Sequence, residues 1–384
     1  MHMSETDSVV AVGFGENQRA LSRAIREVPV RVHAVDDIAA LHHVRGLVQP
    51  TCCIMRIDDF DRTELVAAAR ESAGWEAVPM IGVVSAPRRD ALHAAFGLGA
   101  DDYVLADALF TLARKVHGLL RGGFMPVRDQ AACVVVADPS RARRAQVARQ
   151  VRRLGLDVHF ADNHLDIGSR VGVRLVVAAV DLPPVGALEC MRTFRRRTER
   201  NDTPWIIVGE QRDHARVRTQ LIGEPNVAWF PVGDDPAQIV TVANRLLRRD
   251  APSLRRSARL PLLAPALVEL DDETSPLWSC TYNISLGGVF LRTLAPPPVG
   301  TRMRVSFVVR DGEDALTLPG SAVWRVEHGA AVGHPPGFGL EFDESMPEAM
   351  REALTRGYTQ LSKSQLAEPQ MRPSSRAQTR GVLP

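Results

Sequence analysis

Lysine is nearly absent from this sequence. Lys115 and Lys363 are the two that occur among 47 lysine and arginine residues. Any chemistry that needs a lysine at a defined place is confined to those positions. Cysteine is sparse as well. Cys52, Cys53, Cys133, Cys190 and Cys280 form no CxxC pair and are odd in number, which argues against a disulfide framework and against metal ligation. Cys52 and Cys53 sit in an apolar run, where buried free thiols are expected. No apolar stretch reaches the roughly 18 residues of a membrane span. The opening MHMSETDS has no apolar signal core. A soluble cytoplasmic protein without membrane insertion is expected. No nucleophile triad or phosphate loop is present, and His42–His43, His328 and His334 lack metal-type spacing. These absences predict no catalytic site, no metal and no cofactor, hence no enzyme. A net charge of +2 over 384 residues gives no overall drive toward DNA or anionic membrane. No nucleic-acid partner is expected. The arginines of 141–153 read as a solvated helix face around Val147, Val151 and Leu154.

What is present falls into three parts. Two segments of similar length, 8–121 and 131–249, each open on a β-branched strand, VVAVGFG and CVVVADP. Apolar runs then alternate with helical periods. The runs are CCIMRI (52–57), PMIGVV (79–84) and DYVL (102–105), and then RLVVAAV (174–180), WIIV (205–208) and AWFPV (228–232). Continuous apolar strands alternating with helices indicate parallel sheets covered on both faces. Each segment is predicted to be a doubly wound, five-stranded α/β domain. The GFG of the first strand lacks the third glycine of a dinucleotide fingerprint, with Gln18 in its place.

From Ala266 onward the pattern changes to period two. In TRMRVSFVV, Met303, Val305, Phe307 and Val309 share one face and Arg302 and Arg304 the other. Turn signals follow each strand, so a small antiparallel β-barrel is predicted for 253–362. Its own barrel and helix suggest that it folds alone. The closing helix is expected to start at Ser345, with Ser345 and Glu348 as a capping box and Pro347 in the first turn. Its apolar stripe would be Met346, Met350, Leu354, Tyr358 and Leu361. The polar stretch 363–384 reads as a disordered tail.

Both α/β segments resemble receiver domains of bacterial response regulators. AFGLGADDYVLAD (95–107) is similar to the family's run from fourth helix to fifth strand, and VPMIGVVSA (78–86) to its fourth strand, ending in Ser85. LGLDVHFADN (154–163) and RLVVAAVDLPPVGALECMRTFR (174–195) resemble its second and third strands. The family's chemistry needs a strand-3 aspartate, an acidic pair for Mg2+ and a strand-5 lysine. Here Arg56 and Ala179 stand at the phosphoacceptor positions. Gly13, Phe14 and Gly15 replace one acidic pair, and Asp138 survives from the other. Ala106 and Val232 stand near the lysine positions, and neither lysine of the chain falls there. A slipped alignment would promote Asp58, Asp59 or Asp181 instead. The resemblance implies pseudo-receivers that serve as protein-interaction modules. The usual dimer face of fourth strand, fourth helix and fifth strand allows a homodimer. The GADDY aspartates are expected to cap and terminate elements.

The last segment resembles the PilZ family of cyclic di-GMP receptors. It carries RxxxR as Arg255-Arg256-Ser257-Ala258-Arg259, and the [D/N]xSxxG motif as Asn283-Ile284-Ser285-Leu286-Gly287-Gly288, with 23 residues between them. GSAVWRVE (320–327) and PGFGLEF (336–342) are similar to the family's later strands. The resemblance implies a cyclic di-GMP site formed by Arg255, Arg256, Arg259, Asn283, Ser285 and Gly288. The chemistry suits such a ligand. Guanidinium groups match phosphate oxygens and the guanine O6/N7 edge bidentately, and can stack on a base. Asn283 and Ser285, two apart on a strand, share a face. Gly288 admits close backbone approach. Trp278 and Trp324 read as ordinary barrel residues. The expected protein is a non-enzymatic signalling effector of cyclic di-GMP. The alternatives are a ligand-independent scaffold with a degenerate barrel or, further off, a phosphorylatable response regulator.

Overall fold

The computed structural model describes residues 7–57, 75, 78–121, 129–168, 170, 172–198, 202–221, 224–247, 257–271, 276–310, 312–328, 330 and 334–367. Arg255, Arg256, Asp58, Asp59 and the stretch 368–384 lie outside the described residues.

The first α/β domain has strands β1 (Ser8–Val12), β2 (Arg31–Val35), β3 (Cys52–Arg56), β4 (Met80–Val84) and β5 (Asp102–Leu105), all parallel in the order β2-β1-β3-β4-β5. Strands β1 and β4 are buried along their whole length, as a parallel sheet covered on both faces requires. Its described helices are α1 (Gln18–Ala24), α2 (Ile38–Leu47), α3 (Arg89–Gly97) and α4 (Leu112–Arg121). Asp37 caps α2 by accepting from Ala40 N at 2.7 Å.

The second domain repeats this winding. Strands β6 (Asp129–Ala137), β7 (Leu156–Ala161), β8 (Val173–Ala179), β9 (Trp205–Gly209) and β10 (Val227–Pro231) lie in the order β10-β9-β8-β6-β7. Its helices are α5 (Arg141–Val151), α6 (His164–Gly168), α7 (Ala187–Thr198), α8 (His214–Leu221) and α9 (Gln238–Leu247). All five cysteines of the chain are buried free thiols.

The third part is a closed antiparallel barrel. β12 (Pro265–Leu270), β13 (Leu277–Ser285), β14 (Gly288–Arg292), β15 (Arg302–Phe307), β16 (Leu316–Val326) and β17 (Gly337–Phe342) pair in the order β13-β12-β15-β16-β17-β14, and β13 pairs back on β14. Short β11 (Leu260–Pro261) adds to β13. Along β15, Met303, Val305 and Phe307 point into the core and Arg302 and Arg304 away from it. Val309 is buried too, just past the strand end.

The closing helix α10 spans Glu348–Ala367, three residues later than expected. The Pro347 carbonyl accepts from Met350 N and Arg351 N, so Pro347 rather than Ser345 stands at the entry. Leu354 is 1% exposed in the barrel core, whereas Met350 is 37% exposed and leaves the stripe. Gly357 takes its place, lying against Val309. The helix continues through residues 363–367, which the sequence pattern had assigned to a tail.

The three parts meet in a seam of buried charge. Asp101 of the first domain accepts from both its own Met80 N and Arg149 and Arg153 of the second, at 2.6–2.8 Å. Arg149 also donates to the Val78 carbonyl at 2.9 Å. Asp102 holds Lys115 at 2.6 Å and accepts from Thr293 Oγ1 and Leu294 N of the barrel. Lys115 reaches on to the Trp278 carbonyl, and Tyr103 OH donates to the Ser279 carbonyl at 2.8 Å. Arg292 of the barrel donates to Asp235 of the second domain at 2.8 Å and to the Ala100 carbonyl of the first. Its guanidinium lies 3.8 Å from the Phe96 ring centroid.

Three expectations change here. The GADDY aspartates bind across domain boundaries instead of merely ending elements. Arg149 is 7% exposed, so the 141–153 arginines are not a uniformly solvated face. The fifth-strand side of the first domain, read as a dimer face, is covered by this chain's own barrel and second domain. The barrel alone would present Tyr282 and Arg292, both fully buried, to water.

Candidate ligand groove

The groove lies on the barrel wall away from the carboxylates of the seam. The β13–β14 hairpin is tight, with Ser285 opposite Gly288 and two residues, Leu286 and Gly287, in the turn. Ser285 Oγ donates to the Gly288 carbonyl at 3.2 Å, which fixes the hairpin's shape. A Cβ on Gly288 would collide with the Leu340 carbonyl of β17. This glycine therefore serves the approach of two strands, and it also lines the groove beside them. Ahead of the barrel, Ser257 Oγ accepts from Leu286 N at 3.3 Å. That bond lays the end of the RxxxR segment over the hairpin.

Between these pieces is a cleft of about 450 Å3, lined by Ser257, Arg259, Asn283, Ser285, Gly288 and Trp324 among others. This size lies within the usual range of small-molecule sites, about 300–1,000 Å3. Asn283 forms part of the floor and is 8% exposed. Arg259 is exposed, with its guanidinium 5.9 Å from the Trp324 ring centroid, near the limit for a cation–π contact. Trp324 rests on Phe290 at 4.9 Å and meets His334 at 5.3 Å. Gly339 lies under it, because any Cβ there would strike the indole. Glu341 adds an exposed carboxylate to one wall.

Of the residues predicted for the site, Arg259, Asn283, Ser285 and Gly288 are brought together. Arg255 and Arg256 lie outside the described residues, just before Ser257. The sequence reading missed Trp324, Glu341 and Tyr358. Trp324 sits after the bulge between Ala322 and Trp324, which shifts the inward–outward alternation that the reading relied on. Tyr358 of α10 donates to the Ala258 carbonyl at 2.9 Å, so the helix also holds the RxxxR segment.

The ends of the two parallel sheets carry a different set. Arg56 and Ala179 end β3 and β8, and Ala106 and Val232 directly follow β5 and β10. In the second domain Arg143 forms a two-pronged pair with Asp138, at 2.7 and 2.9 Å, and approaches Asp181 at 3.8 Å. The bond to Asp138 raises the guanidinium pKa further. The surviving acidic residue is thus already occupied by a cation of the protein. Among the described residues, no cluster of three or more His, Cys, Asp or Glu could hold a metal ion, and no helix is long and apolar enough to cross a membrane.

The third part is thus a closed six-stranded antiparallel barrel with a motif-lined groove on its wall. Residues 253–360 match the PilZ domain model, and this part of the chain is a PilZ domain. No match is found among curated proteins. Solved structures similar to parts of the chain include a two-component response regulator/GGDEF domain protein. It is 20% identical with TM-score 0.30, covering 64% of this chain and 100% of that one. The PilZ domain of YcgR from Escherichia coli with c-di-GMP is 18% identical with TM-score 0.24, covering 29% and 95%. A response regulator receiver domain protein from Clostridium thermocellum is 14% identical with TM-score 0.28, covering 31% and 95%.

Proposed function

We propose that the chain is a non-enzymatic cyclic di-GMP effector, in which the barrel groove takes the dinucleotide and the receiver-like domains serve as protein-interaction modules. The observation that carries this reading is the convergence of two separate motifs. Arg259 from one and Asn283, Ser285 and Gly288 from the other line a single cleft. The ligand is a dianion with two guanines. Arg259 supplies charge-assisted donors for phosphate or a guanine O6/N7 edge, and Arg255 and Arg256 of the same sequence motif carry the same chemistry. Trp324 supplies a stacking face. Glu341 suits the donor edge of guanine, which carries N1–H and N2–H2, and disfavours adenine, which lacks the N2 donors.

Titration calorimetry of the full chain with cyclic di-GMP tests this directly, with cyclic di-AMP as the control. Saturable binding of cyclic di-GMP that weakens with salt is the expected result. No heat at tens of micromolar ligand would overturn the reading and leave a ligand-independent scaffold.

A further inference from the structure

The barrel does not build the groove floor unaided. Where β13 pairs with β14, Thr281 faces Leu291 and Asn283 faces Phe290, so Tyr282 is the extra residue of a bulge. Its side chain is fully buried, yet its partners belong to the second α/β domain. The phenol donates to the Ala237 carbonyl at 2.8 Å and lies 2.7 Å from Thr241 Oγ1. Gln238 Nε2 donates to the Tyr282 carbonyl at 2.9 Å. These three partners lie at and within the first turns of α9. Burial pushes the phenol pKa upward, which keeps it a donor. The Tyr282 ring meets Phe290 edge-on at 5.9 Å, and Phe290 supports Trp324.

Strand register explains why this grip matters. Moving the extra residue one place toward the hairpin would pair Tyr282 with Phe290 and make Asn283 the unpaired bulge residue, so Asn283 would lose its place on the groove floor while Ile284 kept its pairing with Val289. The bulge must therefore be held at one position. We propose that the second α/β domain positions the ligand groove: α9 grips Tyr282, and the grip sets Asn283, Ser285 and Phe290 where the ligand meets them. Tyr282, Gln238 and Thr241 are then positioning residues, since none of them touches the ligand. The inference rests on the cyclic di-GMP reading of the groove. Coupling between two sites is reciprocal, so an occupied groove tightens α9, and the second domain registers the ligand.

The test uses the full chain with Tyr282→Phe, the milder Gln238→Ala, and Thr241→Val beside the conservative Thr241→Ser. Amide hydrogen exchange without ligand reads the strand. Tyr282→Phe should speed exchange at residues 283–285 while β15 and β16 keep wild-type protection. Calorimetry with cyclic di-GMP should then show about three- to tenfold weaker binding, the effect of one or two lost hydrogen bonds. Gln238→Ala should follow in the same direction, and Thr241→Ser should restore what Thr241→Val loses. Unchanged exchange at 283–285 in both Tyr282→Phe and Gln238→Ala overturns the inference whether or not the ligand binds. So does faster exchange with undiminished affinity. If the wild type binds no cyclic di-GMP, the effector reading fails, and the exchange measurement still decides whether α9 holds the strand.

Discussion

Arg259 and Arg292 belong to the same barrel and meet opposite surroundings. Arg259 is exposed at the groove mouth beside an indole. Arg292 is 1% exposed, and its two terminal nitrogens donate to Asp235 and the Ala100 carbonyl. The Arg259 guanidinium thus lies at the surface next to an aromatic face and a polar floor. A buried one with a carboxylate at hydrogen-bond distance fastens domains. The same contrast separates the two walls of the barrel: the groove wall is expected to lose a charge and keep its fold, and the seam wall to lose stability with it.

The seam should show the largest effect. Asp101→Ala leaves buried Arg149 and partly buried Arg153 without their shared carboxylate, and removing one side of a buried pair typically costs about 3–5 kcal/mol. A urea titration of the full chain should register a loss of that size. Arg292→Ala should fall in the same range, because Asp235 is left 5% exposed without its cation. A loss below about 1 kcal/mol for both would place these pairs with ordinary surface bridges and erase the contrast.

The groove should respond in affinity and not in stability. Arg259→Ala removes a charge-assisted contact worth about 2 kcal/mol, which is roughly a thirtyfold loss in cyclic di-GMP affinity. Its urea midpoint should stay close to wild type. Ser285→Ala should cost less, because the hydroxyl already serves the hairpin through Gly288. If Arg259→Ala unfolds the barrel, the residue belongs with Arg292.

Much of the groove and little of the seam could be read from the sequence. Periodicity and turn residues reveal the two parallel sheets and the barrel, because strand burial is a local property. RxxxR and the Asn283–Gly288 motif are short patterns whose chemistry is visible in the residues themselves. The seam is built differently. Asp102 and Thr293 bond across 191 positions, and no local pattern links them. GADDY looked like element-ending chemistry because its second use depends on an arginine helix in another domain. Trp324 was missed because a bulge breaks period two, and the packing of Gly288 against β17 was not legible because a cross-strand collision cannot be seen in one strand.

A smaller effect is expected from pH. His328, half-buried after β16, has its pKa pushed down to about 4, chiefly by burial, with Arg153 and Arg149 adding to this and Asp101 opposing it. It is neutral in the folded protein at neutral pH. The unfolded chain takes up a proton as pH falls through 6.5, so it then binds more protons than the native state. Stability contributed by neutral His328 is therefore present above 6.5 and lost between 6.5 and about 4. His33, also lowered by burial, acts in the same direction. The His328→Gln variant should show a shallower acid loss than wild type across that window. Equal slopes would mean that other groups carry the acid sensitivity.

The smallest effect expected is none at all, and it concerns the sheet ends. Acetyl phosphate with Mg2+ should leave the intact mass of the chain unchanged. The strand-3 positions hold Arg56 and Ala179, neither of which accepts a phosphoryl group. Lys115 is committed to Asp102 and to the Tyr103 and Trp278 carbonyls, and Lys363 lies in α10, so neither is placed to neutralise phosphoryl oxygens at a sheet end. In the second domain Arg143 already occupies Asp138, and an incoming cation would have to displace a guanidinium. Asp181 is the remaining described candidate, 68% exposed and 3.8 Å from the same arginine. A gain of one phosphoryl group that disappears in Asp181→Asn would make that residue the acceptor. The second domain would then carry phosphoryl-acceptor chemistry, and its hold on Tyr282 through α9 would become a route from phosphorylation to the groove.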